Sequence, residues 1–109
     1  MSHSIKITAS FAKEAKPLIK KYPSFKSDVG KLIHKLEVNP TLGTPLGHNL
    51  FKIRIAISSK GRGKSGGARV ITYVLSDNAV VNLISIYDKA EYDTADIEVL
   101  LVILKNEGL

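Results

Sequence analysis

The sequence contains no cysteine. Disulfides, thiolate catalysis and Cys-ligated zinc are thereby excluded, and the composition suits a reducing cytoplasm. Long hydrophobic runs are also missing. The longest, such as Val99 to Leu104, fall far short of the roughly 20 residues that a bilayer requires. The N-terminal stretch Met1-Ser2-His3-Ser4-Ile5-Lys6 lacks the apolar segment of a secretion signal. A cytoplasmic protein without a membrane partner is expected. The most telling absence is of acidic residues: from Val38 through Ser76 there is no Asp or Glu.

That stretch holds Lys52, Arg54, Lys60, Arg62, Lys64 and Arg69, while seven of the ten acids follow it. The whole chain carries 16 Lys and Arg, for a formal net charge of +6. A block of one sign inside a folded chain predicts a surface of one sign, because nothing local neutralises it. An anionic partner is implied: nucleic acid, an acidic protein or a membrane surface. At 109 residues, 44% hydrophobic and 24% charged, the chain fits a single domain spanning 1–109 with one modest core.

Alternation of apolar and polar residues over 4–8 predicts a short strand. Ser10 is placed to cap a helix carrying Phe11, Ala15, Leu18, Ile19 and Tyr22 at helical spacing. Pro17 falls inside this pattern and predicts a kink or break. A second helix is expected from Ser24 to about Val38, with Phe25, Val29, Leu32, Ile33 and Leu36 inward; the short turn between the two makes an antiparallel hairpin. Residues 39–47, with Pro40, Gly43, Pro45 and Gly47, read as a loop. From Leu50 to Ile57 the pattern alternates again, Phe51, Ile53, Ile55 and Ile57 on one face, Leu50, Lys52, Arg54 and Ala56 on an open one.

Residues 58–67 form a basic, glycine-rich loop, followed by a β-branched strand over 68–75, a turn at Asp77-Asn78, and an apolar strand over 79–87 suited to the centre of a sheet. Thr94 can cap a last helix with Ile97, Leu100, Leu101 and Leu104 inward, and Gly108 lies where that helix should stop. The order is β-α-α-β-β-β-α. It predicts an α+β fold whose mainly antiparallel, twisted sheet has a helical hairpin packed on it, with helices covering one face.

Three motifs carry little. Gly61-Arg62-Gly63-Lys64-Ser65-Gly66 fits G-x-G-x-x-G, yet opens a strand rather than the helix a dinucleotide site needs. Gly63-Lys64-Ser65 resembles the end of a P-loop, but the first glycine falls on Ser58. His3, His34 and His48 show no metal spacing, so no metal or other cofactor is expected. His34 suits a surface role, whereas His48 stands at the mouth of the basic strand, where proton transfer is conceivable.

Residues 50–91 carry a further pattern: Phe51-Lys52-Ile53-Arg54, the loop Gly61 to Gly67, Ala68-Arg69-Val70-Ile71-Thr72-Tyr73, and Ile84 through Glu91. It resembles toxins of the RelE/ParE superfamily, especially the HigB/RelE branch, whose element order agrees with the one above. The resemblance implies the toxin of a type II toxin–antitoxin pair, partnered by a cognate antitoxin and acting as an endonuclease on messenger RNA in the ribosomal A site. Cleavage there needs no metal: the 2′-hydroxyl attacks the adjacent phosphate while the protein supplies cations and proton transfer. Arg69 then corresponds to the phosphate-stabilising arginine, and Lys52 and Arg54 to the basic pair on the strand. Fixed cations at that point favour the transition state over the ground state.

Lys89 falls where the family has an arginine, keeping the charge without the planar fork. The family's tyrosine aligns with Ala95, and Tyr92 is close enough in sequence to replace it as proton donor. Lys60, Arg62 and Lys64 are expected to bind RNA phosphates, with Tyr73 and Tyr87 stacking on bases. Against these roles stand plainer ones: solvated loop charges, an Arg69 ion pair with a late acid such as Asp88, and tyrosines packed at the core edge. Two other functions fit the same features. One is a gyrase inhibitor of the ParE kind; the other is a non-catalytic relative that binds RNA or antitoxin.

Overall fold

The computed structural model describes residues 3–61, 63, 66–75, 80–91 and 95–109. Its centre is a five-stranded sheet in the order β1-β5-β4-β3-β2. The strands are β1 (Ser4–Ile7), β2 (Thr44–Gly47), β3 (Leu50–Ile55), β4 (Ala68–Val74) and β5 (Val80–Asp88). The helices are α1 (Ala9–Lys21), α2 (Phe25–Val38) and α3 (Ile97–Asn106). All strand pairs are antiparallel except β1 with β5, which run parallel. The β-α-α-β-β-β-α succession stands, with one short edge strand, β2, added where the sequence reads as a loop. Pro45 and Gly47 within it mask it, and it pairs with only the first half of β3.

The α1 cap is Thr8 rather than Ser10. Its Oγ1 accepts from the Phe11 N–H and donates to the Leu83 carbonyl at 2.8 Å, so one side chain starts the helix and ties it to β5. Pro17 neither ends nor interrupts α1. It sits on the exposed side, where the carbonyl it leaves without a donor can bond water. Phe11, Ala15 and Leu18 are buried as expected, but Ile19 is exposed. Asp96, not Thr94, caps α3, accepting from the Glu98 N–H at 2.9 Å. Thr94 and the Asp77-Asn78 turn lie outside the described residues. Beyond Asn106, the N–H groups of Gly108 and Leu109 close onto the Lys105 and Leu104 carbonyls.

The helices do not share one face. The hairpin of α1 and α2 packs Phe11, Phe25, Leu32 and Leu36 against Ile53, Val70 and Leu83. Helix α3 packs Leu100 and Leu104 against Leu50, Ile71, Ile84 and Tyr87 on the opposite side. A sheet covered on both sides needs apolar residues at both parities, and β4 and β5 supply them. A bulge in β5 assists: Thr72 pairs with Leu83 but Ile71 pairs with Ser85, so Ile84 is an extra residue turned to α3. On α3 itself Leu101 is 36% exposed rather than inward.

Candidate nucleic-acid interface

Strand pairing brings the predicted cations together. Arg54 on β3 lies directly opposite Arg69 on β4, and Arg69 opposite Tyr87 on β5; Lys52 heads the next row, opposite Ile71. Residues two apart on a strand share a face, so Lys52, Arg54 and Arg69 all belong to the α3 side. Opposed Cβ atoms are about 5 Å apart, and two cations at that spacing favour an anion shared between them.

Burial grades steeply along the row. Tyr87 is 4% exposed beneath α3, Arg69 is 1% exposed, and Arg54 is open to solvent with Lys52 half-buried beside it. Arg69 is held by the protein, its Nη1 donating to the Ala68 carbonyl at 3.1 Å. Its fork is therefore not offered to solvent, and Arg54 and Lys52 form the accessible part of the cationic face. The ion pair of Arg69 with Asp88 does not form, because neighbouring positions on a strand point to opposite faces and Asp88 lies opposite Ala68. Tyr87 is a core residue, and Tyr73 packs half-buried against the same core. Tyr87, buried in that core, offers no open ring face for a base.

The root of the basic loop is built from two buried carboxylates. Asp88, 1% exposed, accepts from Lys60 Nζ at 2.7 Å, Tyr22 Oη at 2.6 Å and the Ala90 N–H at 2.9 Å. Burial alone would raise its pKa; the bonds from Lys60 and Tyr22 prevail and hold the carboxyl below the ordinary aspartate range. Lys60 is correspondingly held charged: burial would lower its pKa, but Asp88 and Tyr22 raise it. Its Nζ also lies 5.0 Å from the centre of the Tyr22 ring and donates to the Gly66 carbonyl. Lys60 is thus a half-buried fastening of the loop rather than the open RNA contact expected from sequence. Arg62, Lys64 and Tyr92 lie outside the described residues.

Asp28 on α2 makes the second anchor, accepting from Ser24 Oγ at 2.8 Å, the Ser58 N–H at 2.9 Å and Ser58 Oγ at 2.6 Å. Burial acts to raise this carboxyl, and the serine bonds outweigh it and lower its pKa. At the far end of the loop the Lys89 N–H donates to the Gly67 carbonyl at 3.1 Å, which places the half-buried Lys89 beside the loop's exit. Gly67 is irreplaceable sterically: a Cβ there would lie 1.9 Å from the Ile55 carbonyl oxygen.

His48 belongs to a different place. With Asn49 it occupies the left-handed turn between β2 and β3, four residues of strand, roughly 13 Å, from the level of Arg54. Among the described residues no three His, Asp or Glu side chains gather as a metal site.

A cleft of roughly 480 Å³ opens between α2 and the outer edge of β3. Lys31 and Lys35 line it from the helix, Lys52 and Arg54 from the strand. Sequence reading missed the helical pair because no charge block marks it; the available signal was the spacing of four, which sets both lysines on one helix face.

No protein-family profile matches the sequence. Solved structures do share its fold. A mutant of the E. coli toxin RelE in the free state is 16% identical and superposes over 97% of this chain and 98% of its own, with a TM-score of 0.60. The isolated E. coli RelE toxin is 15% identical over 93% and 96%, with a TM-score of 0.61. An α1–α2 hairpin on one side of the sheet and α3 on the other, carried across nearly the full length of both chains, give this protein a RelE-like toxin fold.

Proposed function

We propose that the chain is the toxin of a type II toxin–antitoxin pair, of the HigB/RelE kind, that cuts messenger RNA on the ribosome. The observation that carries this reading is the row on the α3 side of the sheet: Lys52 and Arg54 accessible at its β3 end, with Arg54 set opposite Arg69. The accessible pair receives the phosphate. Arg69, buried behind it, fixes the field at that point. Negative charge growing on phosphorus and on the leaving oxygen is stabilised by these fixed cations. Lys89, Tyr92, Arg62 and Lys64 belong to the proposed RNA contacts, and a cytoplasmic location follows from the ribosomal target.

Induced expression followed by mapping of transcript ends tests this. Wild-type protein should arrest growth and generate new message ends, and Arg54→Ala should reduce their rate of formation by about a hundredfold while the variant melts normally. Growth arrest with intact messages would sink the nuclease reading, and purified protein that blocks gyrase supercoiling would replace it with a ParE-like one. The burial of Arg69 favours one other outcome, an RNA-binding relative without cleavage. Filter binding of RNA by the purified protein, with uncut messages in the cell, would identify it.

A further inference from the structure

We propose that the outward face of α3 is a self-complementary contact on which a second copy of this chain docks, the two helices running antiparallel about a two-fold axis. Exposed apolar side chains are ordinary when scattered, but a contiguous group of them marks a contact surface. Among the described residues, Ile7, Ile19 and Val38 are exposed singly on separate elements, whereas Val99, Leu101, Val102 and Leu109 all belong to α3 or the chain just beyond it. Val99 and Val102 are more than half exposed. Leu100 and Leu104 face the sheet. At about 3.6 residues per turn, Glu98, Leu101, Val102 and Lys105 form a stripe on the opposite side, and all four are exposed.

The order of these four residues decides the occupant. An acid opens the stripe, two aliphatic side chains fill its middle and a base closes it. Turned end for end about a point midway between Leu101 and Val102, the stripe matches itself. Glu98 then falls opposite the partner's Lys105, Leu101 opposite the partner's Val102, and Lys105 opposite the partner's Glu98. An isologous two-fold contact requires this, since each of its pairs occurs twice. A parallel pairing would set like charges together at both ends, and antiparallel helices also oppose their dipoles. Among the described residues neither Glu98 nor Lys105 forms an ion pair within its own chain, so both are available. Asp96 and Glu107 are already engaged, accepting from the Glu98 and Ser10 N–H groups. The ten-residue helix is about 15 Å long. A contact of that length lies at the small end of specific interfaces, so the dimer should be weak, with a Kd of roughly 100 µM.

Sedimentation velocity of the intact protein tests this. The sedimentation coefficient should rise from a monomer's to a dimer's between about 10 µM and 1 mM protein, and Val102→Asp should remain monomeric throughout. Glu98→Lys and Lys105→Glu should each weaken self-association by about tenfold. Mixed in equal amounts, these two variants should dimerise with each other as well as the wild type does, because every facing pair is again of opposite sign. Such rescue cannot come from misfolded chains, and melting curves should be unchanged for all three surface substitutions. A wild-type protein that stays monomeric at the highest concentration would overturn the proposal, as would charge variants that dimerise like the wild type or do not rescue each other. A monomeric protein that floats with phosphatidylcholine vesicles, and ceases to on Val102→Asp, would overturn it in favour of a lipid surface. Neither ribosome nor message takes part, so the outcome is separate from that of the nuclease reading.

Discussion

Lys60 and Arg54 come from the same acid-free stretch and look alike in the sequence, yet the fold uses them in opposite ways. Lys60 has a 14% exposed side chain clamped to Asp88 and set against the Tyr22 ring. Arg54 stands in solvent, facing another cation across the sheet. The difference teaches that position in a basic stretch does not decide a cation's role: a carboxylate and a ring enclose Lys60, and nothing of that kind encloses Arg54. A buried charge is tolerated only with a partner, whereas an exposed one costs little to keep and stays available to a ligand.

The strongest challenge to this contrast is Asp88→Ala. It would strand Lys60 and the Tyr22 hydroxyl together, and should lower unfolding free energy by about 3–5 kcal/mol in urea titrations; a loss under 1 kcal/mol would mean the root is not built as described. Acid should come next, because it unloads both carboxylates at once. Asp28 and Asp88 have depressed pKa values in the folded state, so their stabilisation is present above the unfolded value of about 4 and is lost as pH falls through the folded values below it. Lys60, raised by its partners, keeps its contribution up to its unfolded value of about 10.4 and loses it only beyond. Thermal melts from pH 2 to 8 should therefore fall on the acid side and stay level, for these groups, from pH 5 upward.

Ser58→Ala removes the 2.6 Å bond to Asp28 while leaving the Ser58 N–H and Ser24 in place, and should cost about 1.5 kcal/mol. The smallest effect belongs to the other side of the contrast. Arg54→Ala should change stability by less than about 0.5 kcal/mol, even though it slows transcript cutting, and a larger loss would show that Arg54 is a structural residue like Lys60.

Periodicity made most of the fold legible. Phe25, Leu32 and Leu36 are buried as their spacing predicts, and the strand that looked central, β5, lies between β1 and β4. The placement of α3 was not legible, because apolar residues at both parities of β4 and β5 read equally as a doubly covered sheet or as a deeply buried one. Of the site, the neighbourhood of Lys52, Arg54 and Arg69 could be read from the hairpin pattern. What could not be read was which cations remain outside. Burial of Arg69 and Lys60 depends on partners distant in the chain: Lys60 meets Tyr22 and Asp88, and no local pattern records that meeting.

Gly67 has a consequence for how this loop can change over evolution or by design. Its contact with the Ile55 carbonyl and its bond from Lys89 fix the point at which the chain re-enters the sheet. Gly61 and Gly63 have open space where a side chain would stand, but their left-handed backbone, φ +70° and +63°, still favours glycine. The register of β4 is accordingly pinned at Gly67, a position that admits no side chain.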